Sequence, residues 1–300
     1  MKELFDKRVL LITGKGGVGR TTLSASLAIA AARHGKRSLL VEISQPDGDY
    51  SPLARIFGRE LLPEKLRSIG HGVKGQMLWT RLGHERFLQT VIPIRSLIRA
   101  AMRSKALGRL LEAAPSFQEM GIFYLLLTLL KETRDDGSPA HEVIVFDMPA
   151  TGHTLALTGL PDILLSLMPT GPIADAMREG QSYLYDPAQT AACVVTLPET
   201  LPVTESLELI EGLEKTRMPV GTVIVNKLPP DDFSPQERAE LAPLVEQQAL
   251  FGADRFVRLG QCKAAMDKLK ESVSVPILTV PEFPLQSESL IEAVTDVFAP

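Results

Sequence analysis

A glycine-rich segment near the start of the chain has the residue types needed to bind a phosphate group. Residues 14–22 read G-K-G-G-V-G-R-T-T, which combines glycines with two cations and two threonines. Glycine lets the backbone approach a ligand closely, and successive backbone N–H groups in such a turn bind anions. The alanine-rich stretch from Thr21 to His34 ends just before Gly35, as expected for a helix with a glycine cap. The partial positive charge of that helix's N-terminus adds to the loop, so the segment predicts a polyphosphate site.

Two side chains are placed to hold a magnesium ion beside the phosphates. Thr21 offers a hydroxyl at the start of the predicted helix. Asp147 follows the apolar run V-I-V-F, so it lies at the carboxyl end of a predicted strand. In nucleotide-binding folds of this kind, an aspartate at such a strand end holds Mg²⁺. We therefore predict ATP and Mg²⁺ as the cofactors, with Thr21 and Asp147 as the metal site.

The loop departs at two positions from the common G-x-x-x-x-G-K-[ST] pattern. Lys15 is an additional lysine directly after the first glycine, and Arg20 stands where the usual lysine is found. The first departure resembles the deviant Walker A motif of the plasmid-partition, cell-division-site, nitrogenase iron-protein and arsenite-pump ATPases. In those proteins the extra lysine reaches across a dimer interface to the phosphates of the partner subunit. The resemblance implies a catalytic Lys15 and a dimer that ATP favours.

A second motif narrows the resemblance to one family. Residues 147–155 read D-M-P-A-T-G-H-T-L, which is similar to the D-T-A-P-T-G-H-T-L switch II of the arsenite-pump and tail-anchored-protein-targeting ATPases. The loop 196–200 with Glu205, the strand end 223–226 and the turn 114–119 resemble the family more loosely. The resemblance therefore covers most of the chain and is strongest in its two phosphate-binding motifs.

The family resemblance implies a set of site residues. Catalysis falls to Lys15, Asp147 and a switch I aspartate. His153 is either a phosphate-sensing position or an ordinary turn histidine, and Asn226 is either a base contact or a loop cap. The stretch 281–284 either closes over the base or forms a plain proline-rich turn. The implied nucleotide-binding residues are Gly14, Lys15, Gly16, Gly17, Val18, Gly19, Arg20, Thr21, Thr22, Asn226, Pro281 and Phe283.

Two further departures limit what the resemblance implies. The family's eukaryotic members share a C-x-x-C pair that binds zinc between subunits, but only Cys262 lies in the comparable stretch, so no bridging zinc is expected. The family's switch I reads D-P-A-H, whereas residues 42–49 read E-I-S-Q-P-D-G-D. The water-positioning aspartate is therefore Asp47, Asp49 or missing, and we take Asp47 as the prediction.

Arg20 predicts slow or absent hydrolysis with nucleotide binding preserved. Lysine is a compact charge on a flexible stem, whereas arginine presents a broader planar fork that fits a narrow loop poorly. Binding of the ground state depends mainly on the backbone N–H groups, the helix terminus and Mg²⁺. Catalysis needs stabilisation that grows in the transition state, and one misplaced donor typically costs about 10²–10³ in rate.

Short apolar runs alternate with helix-like stretches along most of the chain. The alternation predicts an α/β fold with a mostly parallel, doubly wound sheet. With the glycine-rich loop and the family resemblance, the fold class is that of a P-loop NTPase. Strand signals nearly vanish between residues 53 and 131, where 86–111 and 117–131 show helical spacing. We predict a single P-loop ATPase domain over 1–300, with a helical subdomain inserted at 53–131. The predicted strands are 8–13, 38–43, 142–147, 193–197, 221–226 and 276–280.

Composition excludes several classes of protein. The chain is 45% hydrophobic, which is ample material for a buried core. Cys193 and Cys262 match no metal-ligand or redox spacing, and no run approaches the ~20 apolar residues that span a bilayer. A formal net charge of −4 argues against bulk nucleic-acid binding. We expect a cytoplasmic protein with no nucleic-acid partner.

The leading functional hypothesis is an ATP-driven dimeric switch that holds and releases a protein client through the helical subdomain. The partner is either a second copy of the chain or a related ATPase. The alternative is a hydrolysis-impaired nucleotide-binding scaffold that pairs with an active paralogue. An electron-transfer iron protein is disfavoured because Cys193 opens an apolar strand, and a small-molecule kinase lacks an acceptor-binding motif. The basic stretch 86–111 contacts a client or a membrane surface, or else forms a solvated helix rim.

Overall fold

One sheet of eight strands forms the core of the computed structural model, which describes residues 2–43, 50–91, 117–149, 151–247 and 251–299. The strands are β1 (Val9–Gly14), β2 (Ser38–Ile43), β3 (Arg67–Gly70), β4 (Val73–Leu78), β5 (Val143–Asp147), β6 (Thr190–Thr196), β7 (Val220–Leu228) and β8 (Ile277–Pro281). Their order across the sheet is β3-β4-β2-β5-β1-β6-β7-β8. All neighbours pair in parallel except β3 and β4, which are antiparallel. The predicted α/β fold with a mostly parallel sheet is confirmed.

Helices cover both faces of this sheet in the part of the chain that the structure describes. No described helix is both long enough and apolar enough to cross a membrane. A short 3₁₀ helix spans Lys2–Asp6. The α-helices are α1 (Arg20–Arg33), α2 (Pro52–Ile56), α3 (Thr80–Val91), α4 (Phe117–Lys131), α5 (Thr151–Leu167), α6 (Pro172–Leu184), α7 (Thr200–Lys215), α8 (Pro235–Gln247), α9 (Ala253–Ser272) and α10 (Ser287–Phe298).

The packing of β1 shows why the central strands are apolar throughout. Val9 and Leu11 belong to a core cluster that includes residues of α4, α5, α6, α7 and α9. Leu10 and Ile12 belong to a second cluster, which includes residues of α1, α2 and α10. Successive side chains of a strand point to opposite faces of the sheet, so both faces of β1 are buried. A strand in this position needs a continuous apolar run rather than an alternating one.

The strands predicted from apolar runs are all present, and β2 has the predicted bounds. The range 53–131 needs a correction, because it contains β3 and β4 in addition to helices. β3 reads R-S-I-G with only Ile69 buried, and β4 buries Val73, Gly75 and Met77 on alternate positions. Such short, mixed runs carry a weak sequence signal; β4 is held by pairing with β2, and β3 by pairing with β4. The predicted helix 117–131 is confirmed as α4, whereas the subdomain boundaries stay a prediction.

Candidate functional site

The glycine-rich segment forms a turn between the end of β1 and the start of α1. Gly14 has a φ of 152°, and a Cβ there would lie 2.4 Å from the carbonyl oxygen of Val195 in β6. Gly19, the N-cap of α1, has a left-handed φ of 94°. A Cβ at Gly16 or Gly17 would instead meet no atom within 4 Å. The turn is tightly packed at both ends and open in the middle, which is the shape of a phosphate cradle.

Asn226 supports this turn from the end of β7. Its Nδ2 donates a hydrogen bond to the carbonyl oxygen of Val18 at 2.8 Å, and its side chain is only 5% exposed. A Cβ added to Gly19 would lie 2.3 Å from the same nitrogen. Asn226 therefore lies beside the predicted nucleotide loop, where it contacts the loop's backbone. A contact from Asn226 to the base of a nucleotide stays a prediction.

Asp147 at the end of β5 accepts two hydroxyl hydrogen bonds from α1. Thr21 Oγ1 donates to its Oδ2 at 2.9 Å, and Ser24 Oγ donates to its Oδ1 at 2.9 Å. Burial raises the pKa of Asp147, while the two hydroxyls and the positive charge of Arg20 oppose that rise. Sequence reasoning missed Ser24, although its position three residues after Thr21 puts both hydroxyls on one face of α1.

Mg²⁺ fits the oxygen groups that the fold brings together here. It prefers hard oxygen ligands, and it binds proteins through one or two carboxylates plus the phosphates of a nucleotide. Thr21 and Asp147 would hold the ion, since their oxygens lie 2.9 Å apart at the start of α1. The bound ion would neutralise part of the phosphate charge, while Ser24 keeps the Asp147 carboxylate oriented.

Arg20 contacts the residue that follows Asp147. Its Nη1 donates to the main-chain carbonyl oxygen of Met148 at 2.6 Å. Burial lowers the pKa of Arg20, and the nearby charge of Asp147 opposes that change. The arginine at the lysine position thus links the first residue of α1 to the start of the switch II sequence.

Lys15 is bound to a helix on the same chain. Its Nζ lies 3.1 Å from Oε1 of Glu205 in α7, and the lysine side chain is 47% exposed. Lys15 is therefore on the surface of the chain, at the mouth of the phosphate turn. Glu205 belongs to the stretch that resembles the family's loop after β6.

Glu42 is a buried acid beside Asp147 that sequence reasoning did not assign. The two residues are paired across β2 and β5, and Glu42 is only 7% exposed. Its carboxylate accepts a hydrogen bond from Ser51 Oγ, and Ser51 in turn caps α2 by accepting from the N–H of Ala54. Burial raises the pKa of Glu42 to about 7; the bond from Ser51 opposes this rise and the charge of Asp147 adds to it. The signal in the sequence was a single acid inside an apolar run.

The remaining predicted residues differ in how far the structure describes them. Thr154, in the switch II sequence, lies 2.9 Å from Thr13 between their Oγ1 atoms. Pro281 ends β8, and Phe283 packs against the apolar cluster that contains Leu10. Thr22 lies in the first turn of α1. Asp47 and the side chain of His153 lie outside the described residues.

Comparison with known proteins decides the family. The sequence profile of the anion-transporting ATPases matches residues 7–179 and 170–249. The chain belongs to the anion-transporting ATPase family. The ATPase BagA of Mycobacterium tuberculosis is 33% identical over 249 aligned residues, which cover 80% of this chain and 71% of BagA. The ATPase GET3B of Arabidopsis thaliana is 26% identical over 340 aligned residues, covering 93% of this chain and 74% of the relative.

The arsenical pump-driving ATPase of Acidiphilium multivorum is 28% identical over 282 aligned residues, which cover 89% of this chain and 44% of that protein. These relatives confirm the resemblance that the two phosphate-binding motifs predicted. They also confirm, at the level of the family, that this anion-transporting ATPase homologue is an ATPase.

Proposed function

We propose that the chain is an ATP-driven dimeric switch that couples nucleotide binding and slow hydrolysis to the handling of a protein client. The observation that carries the proposal is the hydrogen bond between Thr21 and Asp147 beside the open glycine turn. It brings a hydroxyl and a carboxylate to the place where ATP needs Mg²⁺. Family membership supports ATP as the nucleotide.

Dimerisation through the phosphates is supported by the position of Lys15. The lysine is half-exposed at the mouth of the turn, where its ammonium is held by Glu205. Leu201 lies one helical turn before Glu205 on α7 and is 67% exposed. A cation and an apolar side chain on one surface suit a second subunit, and burial of Leu201 would favour the closed dimer. We therefore propose a homodimer or a heterodimer with a related ATPase.

The hydrolysis-impaired scaffold remains a second candidate function because of Arg20. Its planar guanidinium stands where the usual lysine presents a compact, mobile ammonium to the transferring phosphate, and without nucleotide it donates to a main-chain carbonyl. The cytoplasmic location stays a prediction. Contact with a protein client through residues 53–131 is also a prediction. A membrane-surface contact through 86–111 also stays one, and most of that stretch lies outside the described residues.

Phosphate release by the purified chain separates the two candidates. We expect slow turnover with Mg²⁺ and ATP that rises in Arg20→Lys by about 10²-fold, at similar nucleotide affinity, because lysine restores a mobile donor to the transferring phosphate. Asp147→Asn serves as the inactive control, since it removes the carboxylate proposed to hold the metal. If the native chain hydrolyses ATP rapidly and Arg20→Lys is slower, then arginine is the catalytically adapted residue at this position. That result would rule out the scaffold candidate. A native chain that binds no ATP would contradict the proposed function.

A further inference from the structure

Met148 is held by both of its main-chain polar groups. Its N–H donates to the carbonyl oxygen of Ile12 in β1 at 3.1 Å, and its carbonyl oxygen accepts from Arg20 Nη1 at 2.6 Å. The residue is only 2% exposed, and its side chain belongs to the apolar core. The start of the switch II sequence is thus fixed between the strand that enters the phosphate turn and the helix that leaves it.

The far end of the same sequence is fixed to the same unit. Thr154 Oγ1 and Thr13 Oγ1 are 2.9 Å apart, and both residues are fully buried. Residues 149–153 therefore lie between two anchors, one on α1 and one on β1. The anchors differ in chemistry. The threonine pair is neutral, whereas the contact at Met148 depends on the charged guanidinium of Arg20.

A phosphate in the turn would compete for that guanidinium. Arg20 is the first residue of α1, directly after the glycine that ends the turn. A guanidinium binds phosphate through bidentate hydrogen bonds in which both partners are ionised, whereas the carbonyl of Met148 is a neutral acceptor of a single bond. The nearby carboxylate of Asp147 accepts from Thr21 and Ser24, while Arg20 donates to the carbonyl of Met148. An anion in the turn is thus a better partner for Arg20 than the carbonyl of Met148.

We infer that Arg20 is a phosphate-responsive tether, a positioning residue that holds Met148 in the nucleotide-free chain and moves to the phosphates when the turn fills. Through this one side chain, nucleotide binding in the turn releases Met148 at the start of the switch II sequence. The inference rests on the proposed binding of nucleotide at the glycine turn. A lysine at this position would present one compact ammonium, whereas Arg20 presents a planar fork with several donors.

Hydrogen exchange of two peptides tests the tether in the intact chain, with Mg²⁺-ADP as the probe. ADP fills the turn without a γ-phosphate that could recruit switch II. In the native chain, ADP should slow exchange of the turn peptide 14–24 and speed exchange of the switch peptide 149–157. In the nucleotide-free Arg20→Met variant, hydrogen exchange of the switch peptide should already be about ten-fold faster than in the native chain, because a bond from a charged donor is lost. Saturating ADP should not speed it further.

Arg33→Met is the matched control, since it removes an arginine from the last turn of α1 that pairs with exposed Asp296. It should leave the switch peptide at the native rate. In the native chain, ADP could protect the turn peptide while exchange of the switch peptide slows or stays unchanged. That result would overturn the tether without contradicting nucleotide binding. If ADP protects neither peptide, the turn binds no ADP, and the proposed function and the phosphate response fail together. An Arg20→Met switch peptide that exchanges at the native rate without nucleotide overturns the tether alone. Should Arg20→Met not fold, the opposite response of the two native peptides remains the deciding result.

Discussion

Asp147 ends β5, Glu42 is the next-to-last residue of the neighbouring β2, and together they form the acidic part of the site. Both carboxylates are buried, and both accept hydrogen bonds from hydroxyl side chains. Arg20 places a positive charge beside Asp147, whereas the charge that acts on Glu42 is the negative one of Asp147. The cation favours the charged form of Asp147, as the proposed metal site requires. Glu42 is prepared to be neutral for part of the physiological pH range, and it anchors the N-cap of α2 through Ser51.

The raised pKa of Glu42 makes the stability of the nucleotide-free chain depend on pH. Its ordinary pKa of 4.5 rises to about 7 in the folded chain, so the folded state holds a proton that the unfolded state loses. The stabilisation is fully present below pH 4.5 and is lost as pH rises through about 7, by about 3 kcal/mol in total. Glu42→Gln should abolish this part of the pH dependence, since the amide has no proton to lose.

Urea unfolding at pH 5 and pH 8 measures the effect. Trp79, the sole tryptophan of the chain, lies just after β4 and serves as the fluorescent reporter. The native chain should lose about 2.5 kcal/mol more unfolding free energy between the two pH values than Glu42→Gln does, because part of the total is already lost at pH 5. Any pH dependence that both proteins share belongs to other groups, such as Asp147. Equal losses in the two proteins would refute the assignment to Glu42.

Helix α1 is the element that organises the site, because its first turns supply Arg20, Thr21 and Ser24. Glycines with positive φ flank the helix: Gly19, at 94°, precedes it, and Gly35, at 78°, follows it. The two glycines differ in their surroundings. A Cβ at Gly19 meets the amide of Asn226, whereas a Cβ at Gly35 meets no atom within 4 Å.

This difference predicts distinct results for Gly19→Ala and Gly35→Ala. Both substitutions place alanine in the left-handed region, at a cost of about 1–2 kcal/mol in unfolding free energy. Gly19→Ala should cost more, because Asn226 must move and its bond to Val18 is lost. It should also lower ADP affinity by about ten-fold or more, equivalent to ~1.4 kcal/mol of disturbance in the turn. Calorimetric titration with Mg²⁺-ADP checks this, and equal affinities in the two variants would contradict it.

The elements that the sequence predicted well are those with one dominant local signal. The central strands are buried on both faces, so their apolar runs are unambiguous, and α4 has fifteen residues of apolar helical pattern. β4 was missed because its place in the sheet depends on β2, a strand distant in sequence. β3 was missed because it is a four-residue run, R-S-I-G, with one buried side chain, and it pairs only with the equally weak β4.

The site was predictable where a motif fixes both residue type and spacing. Thr21 and Asp147 are hydrogen-bonded beside the glycine turn, because a strand–turn–helix unit and a neighbouring strand end determine their positions. That they bind nucleotide and metal stays a prediction. Ser24 and Glu42 were missed, because a buried serine or glutamate becomes a site residue only through its three-dimensional neighbours. The Met148 carbonyl that binds Arg20 was not predictable, since any residue supplies a main-chain acceptor.

The chain as a whole places its phosphate turn at the middle of the sheet. β1 lies between β5 and β6, so the turn after β1 is flanked by the strand ends that carry Asp147 and precede α7. Lys15 lies apart from these strand ends, because its ammonium is on the surface, where it pairs with Glu205. An exposed ion pair of this kind contributes about 0–1 kcal/mol, so ATP phosphates on a partner subunit can readily replace it. The proposed function therefore depends on two chains meeting at this surface.

Light scattering of the native chain and of Lys15→Ala, with saturating ATP and Mg²⁺, tests that proposal most directly. Lys36→Ala is the matched control, since Lys36 is a lysine that pairs with exposed Asp6 away from the turn. The native chain and the control should double their mass when ATP is added, because Lys15 of each subunit then binds phosphates of the other. Lys15→Ala should stay at the mass of one chain under the same conditions. A Lys15→Ala variant that dimerises as well as the native chain, or a native chain that binds ATP and remains a monomer, would contradict the dimeric switch.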